Sequence, residues 1–238
     1  ALAGADNVTV TLDLLEKMAI HPLTQKTLDT FKADWESLFG EGMRVANMTG
    51  DYGVSDKMSR NTNYRAWGSV GHYLQGPGLL EEIESYTSGF GTKHFYIIDV
   101  FFFDTWTQKL AEIYENSKST FQSAVFEGEV TRSKIREFQE QAVGSDIDTV
   151  IAIGGGKSID VAKVIAANQE CSLVVCPTIA STDAPTSAMS ILYSEEGKMN
   201  EIMLHKKNPD LVLVDSKMIA NAPVRFLVAG IGDALPRF

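Results

Sequence analysis

The sequence predicts an α/β fold, a parallel sheet with helices on both faces, and three observations carry that expectation. Apolar strand-like runs alternate with helical runs from about Trp67 to the end of the chain. Several of these strands are apolar at nearly every position, the pattern of strands buried on both faces. One of them ends in three glycines and runs straight into a helix, IAIGGGKSIDVAK, from Ile151 to Lys163.

Taken in order, residues 1–44 hold a short apolar run (Asn7 to Leu12) and a helical LDLLEKM that Pro22 breaks. A second amphipathic helix follows, with Leu28, Phe31, Trp35 and Leu38 at three-to-four spacing. Residues 45–66 are polar, rich in Asn, Ser and Gly and without periodicity, so they read as a linker. The alternation then begins. KHFYIIDV is a buried strand and TWTQKLAEIYENS an amphipathic helix; SAVFEGEV is a strand and TRSKIREFQEQAV a charged helix. DTVIAIGGG is a strand entering glycines, and KSIDVAKVIAAN is a helix opening at Ser158. After the strand SLVVCPT, ILYSEEGKMNEIML reads as a β-hairpin turned at Glu196-Gly197, an excursion from the sheet. PDLVLVD returns as a strand, and APVRFLVAGIGDAL starts a new helix. The units expected are thus 1–44, the linker 45–66, an α/β domain over 67–223, and the start of a helical domain over 224–238.

Composition excludes several classes of function. The net charge is −10, with 21 Lys+Arg against 31 Asp+Glu, which argues against a nucleic-acid partner because phosphate-backbone affinity rests on basic patches. No run of eighteen apolar residues exists; the most apolar stretch, Phe95 to Phe103, is cut by Asp99, so no membrane span is expected. Cys171 and Cys176 lie five apart, which fails C-x-x-C spacing, and they read as buried free thiols in a strand. This is compatible with a cytoplasmic protein. The chain begins with Ala and shows no signal pattern, so it reads like an internal start.

Two loops carry the chemistry. Glycines 154–156 let backbone N–H groups approach an anion closely, and the helix that follows adds its free N–H groups and positive dipole end. A Rossmann fingerprint fails at Ile159, and a P-loop fails at Ile151. The strand–GGGK–helix therefore reads as a nucleotide site of another type, or else as a tight turn without ligand. Asp160 could simply complement the helix dipole. The second loop, CPTIASTDAPTSAMS, sets Thr178, Ser181, Thr182, Thr186, Ser187 and Ser190 around the carboxylate Asp183. Hydroxyls suit a ribose or a polyol, although each could be a cap or turn residue. Their place at the C-terminal end of a strand beside the glycine loop favours a ligand.

The stretches GGGKSIDVAK, PTIASTDAPTSAMSILYSEEG and NPDLVLVDSKMIANAPVRFLVAGIGDAL resemble the glycerol dehydrogenases. These belong to the metal-dependent alcohol dehydrogenase superfamily, which is also similar to dehydroquinate synthase. The resemblance covers about residues 67–235, starting at GHYLQGPGLL. It implies the dinucleotide-binding domain of a dehydroquinate synthase-like fold, and NAD-dependent oxidation of glycerol to dihydroxyacetone at a catalytic zinc by a homo-oligomer. It also implies roles for residues. Asp99 would hold the adenosine ribose and favour NAD over a 2′-phosphorylated cofactor. Gly155, Gly156 and Lys157 would meet the pyrophosphate, with Asp160 steadying that turn. Thr178, Ser181, Ser187, Met189 and Tyr193 would line the nucleotide, Met189 standing where the family commonly has Leu. Asp183 would contact the polyol hydroxyls, and Asp233 matches an aspartate ligand of the zinc.

Departures from the family accompany the matches. The two histidine ligands lie in a helical domain beyond GIGDAL, and here the chain reads GIGDALPRF, with Pro236 unwelcome in a continuing helix. His21, His72, His94 and His205 match no ligand position and read as surface or packing residues. The chain by itself is therefore expected to bind zinc poorly and not to oxidise glycerol, which leaves a non-catalytic nucleotide-binding fragment as a second reading. Residues 1–44 resemble the C-terminal end of the transaldolase-like fructose-6-phosphate aldolases, (β/α)₈ barrels whose Schiff-base lysine lies on an earlier strand. Lys17, Lys26 and Lys32 are poor candidates for that lysine, so an aldolase is the third reading.

Overall fold

The computed structural model describes residues 33, 36, 37, 40, 68–142 and 146–234. The expected linker, Lys17, Lys26, Lys32, His21 and Pro236 lie outside them, as does nearly all of the aldolase-like segment.

Eight strands are described: β1 (His72–Gly76), β2 (Lys93–Asp99), β3 (Thr120–Phe126), β4 (Thr149–Gly154), β5 (Ser172–Pro177), β6 (Met189–Tyr193), β7 (Met199–Leu204) and β8 (Leu211–Asp215). The helices are α1 (Ile83–Thr87), α2 (Phe103–Tyr114), α3 (Arg132–Ala142), α4 (Gly156–Gln169), α5 (Ser216–Asn221) and α6 (Val224–Ala234). Six strands form one sheet in the order β1-β8-β5-β4-β2-β3, and every pairing in it is parallel. The expected hairpin is a separate antiparallel pair, β6 with β7. Among the described residues no helix is long and apolar enough to cross a membrane.

Alternating side chains of the central strands feed two cores. Tyr96, Ile98, Ile151, Ile153 and Val174 meet Trp106, Leu110 and Tyr114 of α2 together with Leu80 and Ile83. Phe95, Ile97, Val150, Ala152, Leu173 and Val175 meet α3 and α4 on the opposite face, where Leu192 of the hairpin joins them. All six residues of β4 are buried, as an interior parallel strand covered on both faces requires.

Three local expectations shift. The strand expected over SAVFEGEV begins earlier and ends at Phe126, because Gly128 takes φ 93° and turns the chain. Its first residues, TFQ, escape an apolar-run criterion because β3 is an edge strand with Thr120, Gln122 and Val125 exposed. The helix expected from Ser158 already starts at Gly156. Both cysteines are buried free thiols, but Cys171 precedes β5 and Cys176 alone lies in it.

The connections fix where a ligand can enter. From β2 the chain steps outward to β3, whereas from β4 it steps the other way to β5. The winding reverses between the neighbours β2 and β4, whose C-terminal ends carry Asp99 and Gly154. In an open α/β sheet that reversal opens a crevice with no helix across it.

Candidate functional site

A cavity of about 1090 Å³ occupies the crevice, just above the usual range for small-molecule pockets. The twelve residues given a role by the family resemblance all line it: Asp99, Gly155, Gly156, Lys157, Asp160, Thr178, Ser181, Asp183, Ser187, Met189, Tyr193 and Asp233. They come from five parts of the chain, namely the end of β2, the glycine loop and α4, the loop after β5, β6, and α6.

At the glycine loop the backbone is packed too closely for side chains. A Cβ on Gly154 would lie 2.5 Å from Ser158 Oγ and 3.1 Å from Asp99 Cβ. Gly155 is the N-cap of α4, and no side chain caps that helix. Its first-turn N–H groups therefore remain available to an anion. Across the crevice, Asp99 accepts from Phe101 N–H (3.1 Å), and Ser158 Oγ lies 3.5 Å from its other oxygen.

The hydroxyl loop divides by role. Thr182 accepts from Ala184 N–H, and Thr186 donates to the Asp183 carbonyl, so both act as turn residues. Ser190 is fully buried and donates to the Asp160 carbonyl (3.0 Å). Thr178, Ser181 and Ser187 line the cavity without those turn-capping bonds. A backbone bond from Thr178 N–H to the Gly154 carbonyl (3.0 Å) holds the two loops together.

Asp160 acts elsewhere than on the glycine turn. Its carboxylate accepts from Lys163 Nζ (3.1 Å) and from Ile191 N–H (3.1 Å), so it fastens α4 to β6. Lys163, which the sequence reading passed over, is 3% exposed and its three protons are all engaged, by Asp160, by Ser187 Oγ (3.1 Å) and by the Met189 carbonyl (2.7 Å). Burial pushes the Asp160 carboxyl up, against the pull of the Lys163 ammonium, and pushes Lys163 down, against the Asp160 carboxylate. The signal that would have found this pair is an Asp and a Lys at i,i+3 in the otherwise apolar middle of a helix, Ile159 to Ala167.

Other features escaped the sequence reading. Asp215 closes β8 and caps α5, accepting from Lys217 and Met218 N–H, and it also takes N–H bonds from Gly78 (3.0 Å) and Leu80 (3.2 Å). Burial raises its pKa, but these four donors outweigh that and hold it below the usual carboxylate range. A carboxylate before a helical S-K-M is a recognisable N-cap. Phe101 stands 87% exposed on the cavity rim, which the apolar letters FFF gave no reason to expect.

The described histidines have other occupations. His72 lies on the edge strand β1. His94 is buried, with Nδ1 2.5 Å from Tyr114 Oη. His205 is buried against Ser190. Asp183 and Asp233 line the cavity, but among the described residues no three His, Cys, Asp or Glu side chains form a group that could hold a metal. A catalytic zinc with three protein ligands is therefore not fitted by these residues.

The architecture is that of an open, doubly wound α/β domain with a glycine loop and an uncapped helix N-terminus at its winding reversal. Residues 71–216 match the iron-containing alcohol dehydrogenase family, and the chain belongs to that family. It is 40% identical over 167 residues to a glycerol dehydrogenase of Citrobacter freundii, covering 70% of this chain and 46% of that one. Over 174 residues it is 39% identical to a glycerol dehydrogenase of Thermotoga maritima, covering 69% and 45%. The crystal structure of a probable glycerol dehydrogenase from Sinorhizobium meliloti matches with a TM-score of 0.67 at 37% identity, covering 72% of this chain and 46% of that chain. These relatives bear out the resemblance and the fold class expected from the sequence. The chain spans about half the length of the curated relatives it matches.

Proposed function

We propose that these residues form the dinucleotide-binding part of an NAD-dependent polyol dehydrogenase, with glycerol as the substrate that the whole enzyme oxidises to dihydroxyacetone. The observation that carries this reading is the juxtaposition at the winding reversal: an uncapped helix N-terminus behind three glycines faces a strand-end carboxylate across one cavity. The cradle suits a pyrophosphate, held by the N–H groups of Gly155 and Gly156 and by Lys157. Asp99 suits the adenosine ribose hydroxyls and repels a 2′-phosphate. Thr178, Ser181, Ser187, Met189 and Tyr193 would line the nucleotide, and Asp183 would receive the polyol hydroxyls. Asp160 acts on this site through the hairpin it fastens. The bound nicotinamide would accept the hydride, and these residues would orient it.

For zinc, Asp233 is the one family-matched ligand among the described residues. That shortage favours a second reading for this chain by itself, a nucleotide-binding unit without turnover. Two buried free thiols fit a reducing compartment such as the cytoplasm, and a homo-oligomeric whole enzyme remains part of the proposal.

Titration of the 238-residue chain with NADH and NADPH, followed by nucleotide fluorescence, tests the reading. NADH is expected to bind at least about tenfold more tightly than NADPH, a difference of about 1.4 kcal/mol. Asp99→Ala is expected to weaken NADH and narrow that gap. Equal affinities in the unmodified chain, or no binding of either nucleotide, would overturn it. Glycerol-dependent NADH formation with added zinc would overturn the reading without turnover.

A further inference from the structure

We propose that Glu129 is an internal competitor at the anion cradle: its carboxylate pairs with Lys157, and an incoming pyrophosphate must take that lysine from it. The inference rests on the dinucleotide reading of the crevice and deepens it by naming a residue that sets affinity.

Lys157 is the second residue of α4, beside the glycine cradle, with its side chain 52% exposed. Its ammonium pairs with the Glu129 carboxylate. The other lysine of α4, Lys163, is buried with all three donors engaged, so it cannot turn to a ligand. Lys157 is thus the lysine of this helix that a pyrophosphate can recruit, and a carboxylate already holds it.

Glu129 is presented to the lysine by a clamped turn. Gly128, with φ 93°, reverses the chain just before it. Thr131 N–H bonds to the Glu129 carbonyl (3.0 Å). Val130 is fully buried, and its carbonyl accepts from Tyr193 N–H (2.8 Å) on the hairpin. The backbone of Glu129 is therefore fixed on both sides, while Lys157 swings on a long flexible stem. When pyrophosphate enters, the lysine exchanges one anion for another, and its net contribution to binding is the difference between the two pairs. The Glu129 pair is partly exposed, so its hold on the lysine is modest and salt-sensitive.

The test is equilibrium binding of NADH to the full chain, read by fluorescence at low and high salt. Glu129→Gln keeps the size of the side chain and removes its charge; it is expected to tighten NADH about three- to fivefold at low salt. The gain is expected to vanish at ~1 M salt. Lys157→Met is expected to weaken NADH and to abolish the effect of Glu129→Gln in the double variant. Glu137→Gln serves as the charge control: it removes an exposed carboxylate paired with Lys134 on α3, outside the cavity lining, and is expected to change affinity less than about twofold, since exposed charges act weakly at a distance. Unchanged or weaker binding by Glu129→Gln, an equal gain from Glu137→Gln, or a gain that persists without Lys157 would each overturn the proposal. A wild-type chain that binds no NADH would instead overturn the dinucleotide reading beneath it.

Discussion

His205 is 7% exposed, with its Nε2 2.8 Å from Ser190 Oγ. The one hydroxyl proton of Ser190 is given to the Asp160 carbonyl, so Nε2 must carry a proton and donate it to Ser190. Burial pushes the imidazole down to about 4, and the Lys163 ammonium adds to that. The folded state therefore takes a proton less readily than the unfolded chain, where histidine titrates near 6.5. Its contribution to stability is complete above the unfolded value and is lost as pH falls from there toward the folded value. The loss amounts to about 3 kcal/mol. His94, also lowered by burial, acts in the same direction. Urea unfolding at several pH values is expected to show the wild type losing stability across this window and His205→Gln losing less; parallel curves would refute the assignment. None of this was legible in the letters beyond a packing histidine, because a single residue type does not declare its partner. The three glycines were legible, because residue type and place in a strand-to-helix junction together restrict the backbone there, whereas the role expected of Asp99 came from the family resemblance.

At the scale of elements, α4 ties the site together. It carries the cradle at its first turn, its Ile, Val and Ala side chains fill the core, and the buried Asp160–Lys163 pair fastens it to the hairpin and to Ser187. Lys163→Met would leave the Asp160 carboxylate, 9% exposed, without its partner. Removing one member of a buried pair costs about 3–5 kcal/mol, whereas replacing both by apolar residues costs much less. Chemical denaturation is expected to show Lys163→Met destabilised in that range and an Asp160→Leu/Lys163→Met variant recovering most of it. Equal losses in the single and the double variant would show that the charges themselves do little. The helix was readable from the glycine junction and the strand–helix alternation, and β2, β4 and β5 from their unbroken apolar runs. β3 was readable only in part, since an edge strand half open to solvent lacks that run. The hairpin could be read as a pair, but its seat on α4 depends on a buried ion pair that no periodicity reports.

At the scale of the whole molecule, the site exists because the winding reverses between β2 and β4, and strand order is not written in any one segment. Alternation gave the class of sheet, while the crevice needed the order. The last described helix depends on one further contact. Among its residues α6 buries only Gly232, with Val224 61% and Leu227 44% exposed, so little apolar packing holds it. It seats on the hydroxyl loop through Gly230, where an added Cβ would lie 2.2 Å from the Ala180 backbone oxygen. Because that oxygen belongs to backbone, the collision in Gly230→Ala has no flexible side chain to absorb it, and α6 must lift away, taking Asp233 out of the cavity. The sheet has its own two cores and does not rely on α6. Amide exchange is therefore expected to rise at least about tenfold across residues 224–234 in Gly230→Ala, equivalent to about 1.4 kcal/mol of lost local protection, while β4 and β5 stay as protected as in the wild type. Unchanged exchange in α6 would mean the helix is held by something other than this approach. A loss spread equally over the sheet would mean that α6 belongs to the α/β domain and does not begin a separate unit at Val224.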